Sequence, residues 1–157
     1  MSFQIHALDS EAFEPFYALD AQALAWAGVR RMTVTDCPGY PCRVSLRDAD
    51  IGETVLLMNY QHQSQGTCYR ASHAIFVRDG AKTARPDRGE VPGVLTARPI
   101  SLRAFDARHD MVAADLAEGS ALHGAIRSLL ARRDVAYLHL HNAKPGCYAA
   151  RAERADI

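Results

Sequence analysis

The sequence predicts an α+β fold: a single domain over residues 1–157 built on a curved, mostly antiparallel sheet of seven or eight strands, rolled toward a barrel, with two main helices. Three observations predict it. Segments with strand-like alternation follow one another directly, only two stretches carry a helical period, and no repeat or biased-composition linker divides the chain. Too few helices are present to supply alternating βαβ units, so antiparallel pairing is expected.

Taken in order, Phe3 to Leu8 alternates as a first strand, and Asp9 or Ser10 caps a short turn that Pro15 limits. Asp20 then stands at the N-cap of the first main helix, Ala21 to Ala27, which ends at Gly28; Leu24 and Trp26 are expected to be its packing anchors. Arg30 to Thr35 reads as a strand, interrupted by Cys37-Pro38-Gly39-Tyr40-Pro41, after which Arg43 to Leu46 resumes extended structure. Glu53 to Gln61 is the most apolar run and is placed at the sheet centre. His73 to Arg78 is the next strand, and residues 79–99 form a long connection with a short turn near Val91 to Leu95. Ile100 to Phe105 and Met111 to Leu116 suit a hairpin. Ser120 opens the second main helix, where Leu122, Ala125, Ile126, Leu129 and Leu130 share one stripe. A strand through Tyr137-Leu138-His139-Leu140-His141, a turn over Asn142 to Gly146 and a last strand from Cys147 to about Glu153 complete the chain.

Composition narrows the functional classes. The chain is 48% hydrophobic and 23% charged, and no apolar run approaches the roughly 18 residues of a membrane span. The start, Met-Ser-Phe-Gln-Ile-His, lacks the n-region and h-region of a signal peptide, so a cytoplasmic location is expected. Basic and acidic residues balance at 18 each and are scattered, which argues against nucleic acid as a partner. Four cysteines, Cys37, Cys42, Cys68 and Cys147, match no zinc ribbon or redox CxxC spacing. Cys37 and Cys42 could still meet across their loop.

Three constellations carry candidate chemistry. Alternation sends Tyr137, His139 and His141 to one strand face, a spacing that suits two ligands of one metal ion, with His62 first in line as a third and His73, Cys42 and Cys147 behind it. The same three histidines, His62, His139 and His141, are the candidate catalytic residues for acid-base work. The simpler alternative makes His139 and His141 structural, hydrogen-bonded to Tyr137, Asn142 or backbone. A second candidate is a thiol site at Cys42 with a histidine base and Asn59 or Asn142 as orienter. The third is a pocket for a small polar or anionic ligand, drawn from Arg43, Asn59, Tyr60, Tyr69, Arg70, Tyr137 and Asn142 with Gln61 and Gln63. No cofactor is identified beyond the divalent metal that the histidines would allow. Neither GxSxG, a Walker loop nor a dinucleotide glycine fingerprint occurs.

Cys37-Pro38-Gly39-Tyr40-Pro41-Cys42-Arg43-x-Ser45-Leu46, Gly52-Glu53-x-Val55-Leu56-Leu57-x-Asn59-Tyr60-x-His62-Gln63, Tyr69-Arg70-Ala71-Ser72 with Ile75-Phe76-Val77-Arg78, and Tyr137-Leu138-His139-x-His141-Asn142-Ala143-x-Pro145-Gly146-Cys147 together resemble the bacterial DUF1203 family. The resemblance implies a stand-alone bacterial domain and carries no activity, catalytic residue or cofactor with it. The expectation is therefore a domain whose polar sheet face binds, and acts on, a small polar ligand. A non-enzymatic binding or interaction module with structural histidines is the alternative, and the oligomeric state is left open.

Overall fold

A computed structural model of the chain describes residues 1–155. Its elements run β1 (Ser2–His6), a 3₁₀ turn (Ser10–Ala12), α1 (Glu14–Tyr17), α2 (Ala21–Trp26), β2 (Arg30–Thr33), β3 (Thr54–Gln63), β4 (Ala71–Arg78), α3 (Gly93–Thr96), β5 (Ile100–Phe105), β6 (Met111–Ala117), α4 (Ala121–Leu130), β7 (Tyr137–Asn142) and β8 (Tyr148–Ala155).

The strands do not form one sheet, and nothing closes toward a barrel. They divide into a five-stranded sheet, β1-β8-β7-β5-β6, and a separate three-stranded sheet, β2-β3-β4, both antiparallel. Local alternation locates strands and faces but holds no information on which strands pair, so the apolar run in β3 took the centre of the wrong sheet. β3 is central only to the smaller one. The connection from Asp79 to Pro99 carries the chain from one sheet to the other, with α3 as its single helical turn.

Among the described residues only α4 is a substantial helix. Its Leu122, Ile126, Leu129 and Leu130 fill one core with Ile100, Leu102, Leu138, Leu140, Phe3 and Ile5, the alternate residues of one face of the large sheet. α2 has six residues, capped where Asp20 Oδ1 accepts from the Ala23 amide at 2.8 Å and stopped at Gly28, whose φ of 72° is in the left-handed region. Leu24 is buried, yet Trp26 is 86% exposed. Two residues at ~100° each place Trp26 on the far side of the helix from Leu24, so both could not anchor it.

Arg43 to Leu46 is a tight turn rather than a strand, flanked by the isolated bridges Pro41–Asp48 and Cys42–Phe76. Its carbonyls and amides still matter: Arg43 N donates to Phe76 O and Leu8 N to Arg43 O, which ties this turn to β4 and to the N-terminal segment. A second core, with Phe13, Leu24, Val44, Leu56, Met58, Ile75 and Val77, lies under the N-terminal helices against β3 and β4.

Candidate functional site

The second face of the five-stranded sheet is where polar chemistry collects. On β7 the alternation that buries Leu138 and Leu140 under α4 turns Tyr137, His139 and His141 the other way. Register places Phe105, Arg103 and Ser101 of β5 opposite them on one side, and Glu153, Arg151 and Tyr148 of β8 on the other. Onto this face comes the end of the small sheet that carries Tyr60 and His62 of β3, with His73 of β4 directly opposite Tyr60. The register of β3 and β4 slips between Tyr60 and Gln63, at His62 itself.

Four imidazoles therefore meet. His62 lies 4.9 Å from His73 and 4.9 Å from His141 between ring centroids, and 5.5 Å from His139. Donor atoms of His62, His73 and His141 all lie within 4.8 Å of one another, an arrangement able to hold a metal ion. His73, in place of His139, completes the triad; His139 stands behind it against Tyr148, at 5.2 Å.

Hydrogen bonding fixes which nitrogens are available. His141 Nδ1 lies 3.0 Å from the Gly146 carbonyl, which can only accept, so Nδ1 carries the proton and Nε2 holds a lone pair. That Nε2 is buried without a partner. Gly146, with φ at 79°, belongs to the turn whose return presents this carbonyl. His62 Nε2 and His73 Nδ1 are 2.9 Å apart, so one of them donates to the other in the metal-free protein. His62 Nδ1 and His139 Nδ1 are buried and unpartnered as well.

Burial, before any charge, sets the protonation. It pushes His62 down to about 4, helped by His73 and Arg103. His139 and His141 fall to about 3, again through burial first, with His62, Arg151 and Arg103 adding to it at His139 and Arg103 at His141. His73 is lowered by burial and by the charges of Arg103 and Arg43. All four rings are neutral near pH 7, the state a metal requires and one poorly matched to proton exchange at that pH.

Of the remaining predicted residues, Arg43 and Asn142 meet at Cys147, and the others scatter. Tyr137 is buried, with its hydroxyl 2.9 Å from both Gln63 Nε2 and His109 Nδ1 and Arg151 over its ring at 4.1 Å. Tyr60 is half-buried between Phe13 and Tyr148. Asn59 is exposed on the opposite face of β3, Arg70 is exposed in the β3–β4 loop, and Tyr69 meets only the edge of Phe105. Arg43 is an internal strut, 2% exposed. Asn142 is buried, its Nδ2 3.6 Å from Cys147 Sγ. Cys42 is buried in the second core, accepting from the amides of Ser45 and Arg78, and Cys37 is an exposed free thiol. Neither a Cys37–Cys42 pair nor a Cys42–Asn59 thiol site is formed.

His73 stood next after His62 as a prospective third ligand, and Arg103, Tyr148 and Lys144 were not among the expected site residues. Arg103 and Tyr148 were recoverable once β7 was paired with β5 and β8, since residues opposite His139 and His141 share their face. Beside the cluster, a cleft of about 610 Å³ opens between the 38–43 loop, β4 and the 142–147 turn, with His73 in its wall.

The family described as a protein of unknown function, DUF1203, matches residues 39–154, and the chain belongs to it. No curated protein and no solved structure matches the chain. No helix among the described residues is long and apolar enough to cross a membrane.

Proposed function

We propose that this member of the DUF1203 family is a metal-binding domain in which His62, His73 and His141 hold a divalent transition-metal ion and present it to a small polar ligand in the adjoining cleft. The observation that carries the reading is the His141 ring: Nδ1 committed to the Gly146 carbonyl, Nε2 bare, buried and directed among two further imidazoles. A ligating histidine characteristically has its second nitrogen tied to a carbonyl or carboxylate in this way. Three neutral imidazoles suit zinc, copper, nickel or iron rather than magnesium or calcium.

Donors on a tetrahedral ion stand ~3.4 Å apart, given bonds of ~2.0–2.1 Å. Closing from the present separations, at most 4.8 Å, takes adjustments of about 1 Å. Three protein ligands leave a fourth position for water or a ligand, the open arrangement of sites that act on what they bind. In such a site His139 and Tyr148 would wall the ion from behind, with His73 facing the cleft.

A purely structural role for the histidines accounts for the His62–His73 bond and the His141–Gly146 bond. It leaves three buried nitrogens, on His62, His139 and His141, without partners. The metal reading gives one of these, His141 Nε2, an ion as its partner. A reducing, cytoplasmic setting fits the free thiols of all four cysteines.

The test is metal uptake. Untagged protein stripped with EDTA and dialysed against zinc, cobalt or nickel is expected to retain about one ion per chain. His73→Ala and His141→Ala should each abolish retention, and His139→Ala should keep it. Wild-type protein that takes up none of the three metals sinks the proposal.

A further inference from the structure

Arg43 poses a problem that the metal site does not solve. Its guanidinium is 2% exposed, and its three protein partners are the Tyr148 carbonyl at 2.8 Å, the Pro41 carbonyl and Cys147 Sγ at 2.9 Å. No carboxylate pairs with it among the described residues. Of the five N–H donors three are used, leaving two free. A buried cation without a counter-charge is costly.

The surroundings are one-sided. Arg43 lines the cleft with Arg98 and Lys144, and no aspartate or glutamate lines it. Arg98 is already neutralised by Asp48 at 2.8 Å. Lys144 stands exposed at the mouth with no ion pair among the described residues. Asn142, 4% exposed, has a buried Oδ1 that lacks any partner, so this wall asks for a donor as well as an anion. Arg43 Nη2 and Asn142 Nδ2 both reach the same sulfur, Cys147 Sγ, which sets guanidinium and amide side by side. Leu57, Phe76, Pro38 and Pro99 add apolar surface to the same cleft.

We infer that the cleft seats a small hydroxy- or amino-carboxylate with an apolar body: the carboxylate on Arg43 and Lys144, the neighbouring hydroxyl or amine donating to Asn142 Oδ1, and the body against Leu57 and Phe76. A charge-assisted contact to a guanidinium supplies affinity, and the unpaired amide oxygen supplies discrimination against a ligand lacking the donor. This deepens the metal-site reading by naming the ligand that reaches His73, although none of the seat's residues is a proposed metal donor.

Phenyllactate is the probe, with 3-phenylpropanoate as the analogue lacking the hydroxyl and phenyllactamide as the uncharged one. Calorimetry and amide chemical shifts on EDTA-stripped and on zinc-loaded protein should give saturable phenyllactate binding with shifts at 142–147. Binding should weaken for 3-phenylpropanoate, and by at least about tenfold for the amide. Lys144→Glu, an exposed change that leaves the fold unburdened, should weaken phenyllactate by at least about tenfold too. Equal binding of acid and amide, an unaffected Lys144→Glu variant, or no binding at all overturns the inference. Zinc uptake without phenyllactate binding leaves the metal site standing and removes this one; phenyllactate binding by protein that takes up no metal does the reverse.

Discussion

The two faces of the five-stranded sheet are built from the same strands and do opposite things. Under α4, Ile100, Leu102, Leu138 and Leu140 are fully buried in a core of leucines, isoleucines, valines, alanines and Phe3. One residue along, the same strands bury Tyr137, His139 and His141 against the other sheet, with Arg103 half-buried beside them, leaving ring nitrogens with no partner. Buried polar groups without partners destabilise by ~1–3 kcal/mol each, so the first face must carry the second. The contrast separates what holds the domain together from what it holds.

Substitutions should break that contrast in a definite order. The largest effect is expected on the dry face: Leu138→Ala should lower unfolding free energy by about 2–5 kcal/mol in urea titrations, while the remaining folded protein binds zinc as before. Equal loss of both would merge the two faces into one. Next comes the ion itself. Zinc held at a hundred times its dissociation constant should stabilise wild-type protein by about 2.7 kcal/mol, and His141→Ala should lose all of that increment. The same variant without metal should lose no more than Leu138→Ala does, because the cavity left by the fully buried ring and the lost Gly146 bond are offset in part by removal of an unsatisfied nitrogen.

The smallest effect belongs to a pair on neither face. Arg47 makes a two-pronged bond to Glu53 at 2.8 and 3.0 Å, and with the Asp50 amide it lowers the carboxyl from 4.5 to about 2. A lowered carboxylate stabilises the fold above its unfolded pKa. Its contribution should therefore be complete above about pH 4.5 and vanish as pH falls toward 2. Because water reaches the pair, Glu53→Gln should cost no more than about 1 kcal/mol at neutral pH and show no such acid limb. Matching acid titrations of variant and wild type would remove Glu53 from the account.

Much of this was legible in the residues. Alternation in Tyr137 to His141 correctly assigned leucines to one face and histidines to the other, and the helical stripe from Leu122 to Leu130 is the helix that covers the leucines. What could not be read was pairing between distant strands, and with it the split into two sheets. Both Tyr60-x-His62 and Tyr137-x-His139-x-His141 place polar aromatics at alternate positions, a hint that two strands share one buried interior. Nothing local distinguishes that arrangement from two separate solvent-facing surfaces. His73 was undervalued for the same reason: it enters the cluster through its place opposite Tyr60, not through any motif. Arg43 showed the converse error, since a lone arginine beside a turn reads as surface until Tyr148 and Cys147 close around it.

Among the described residues no backbone hydrogen bond runs from a strand of one sheet to a strand of the other, and the four histidines are drawn two from each: His62 and His73 from the smaller, His139 and His141 from the larger. Any ion shared by His62, His73 and His141 would thus act as a fastener across the seam. Parting the sheets and releasing the cargo would then be a single mechanical event, so the amides of β3 and β4 should exchange with solvent at a pace set by how tightly the ion is gripped.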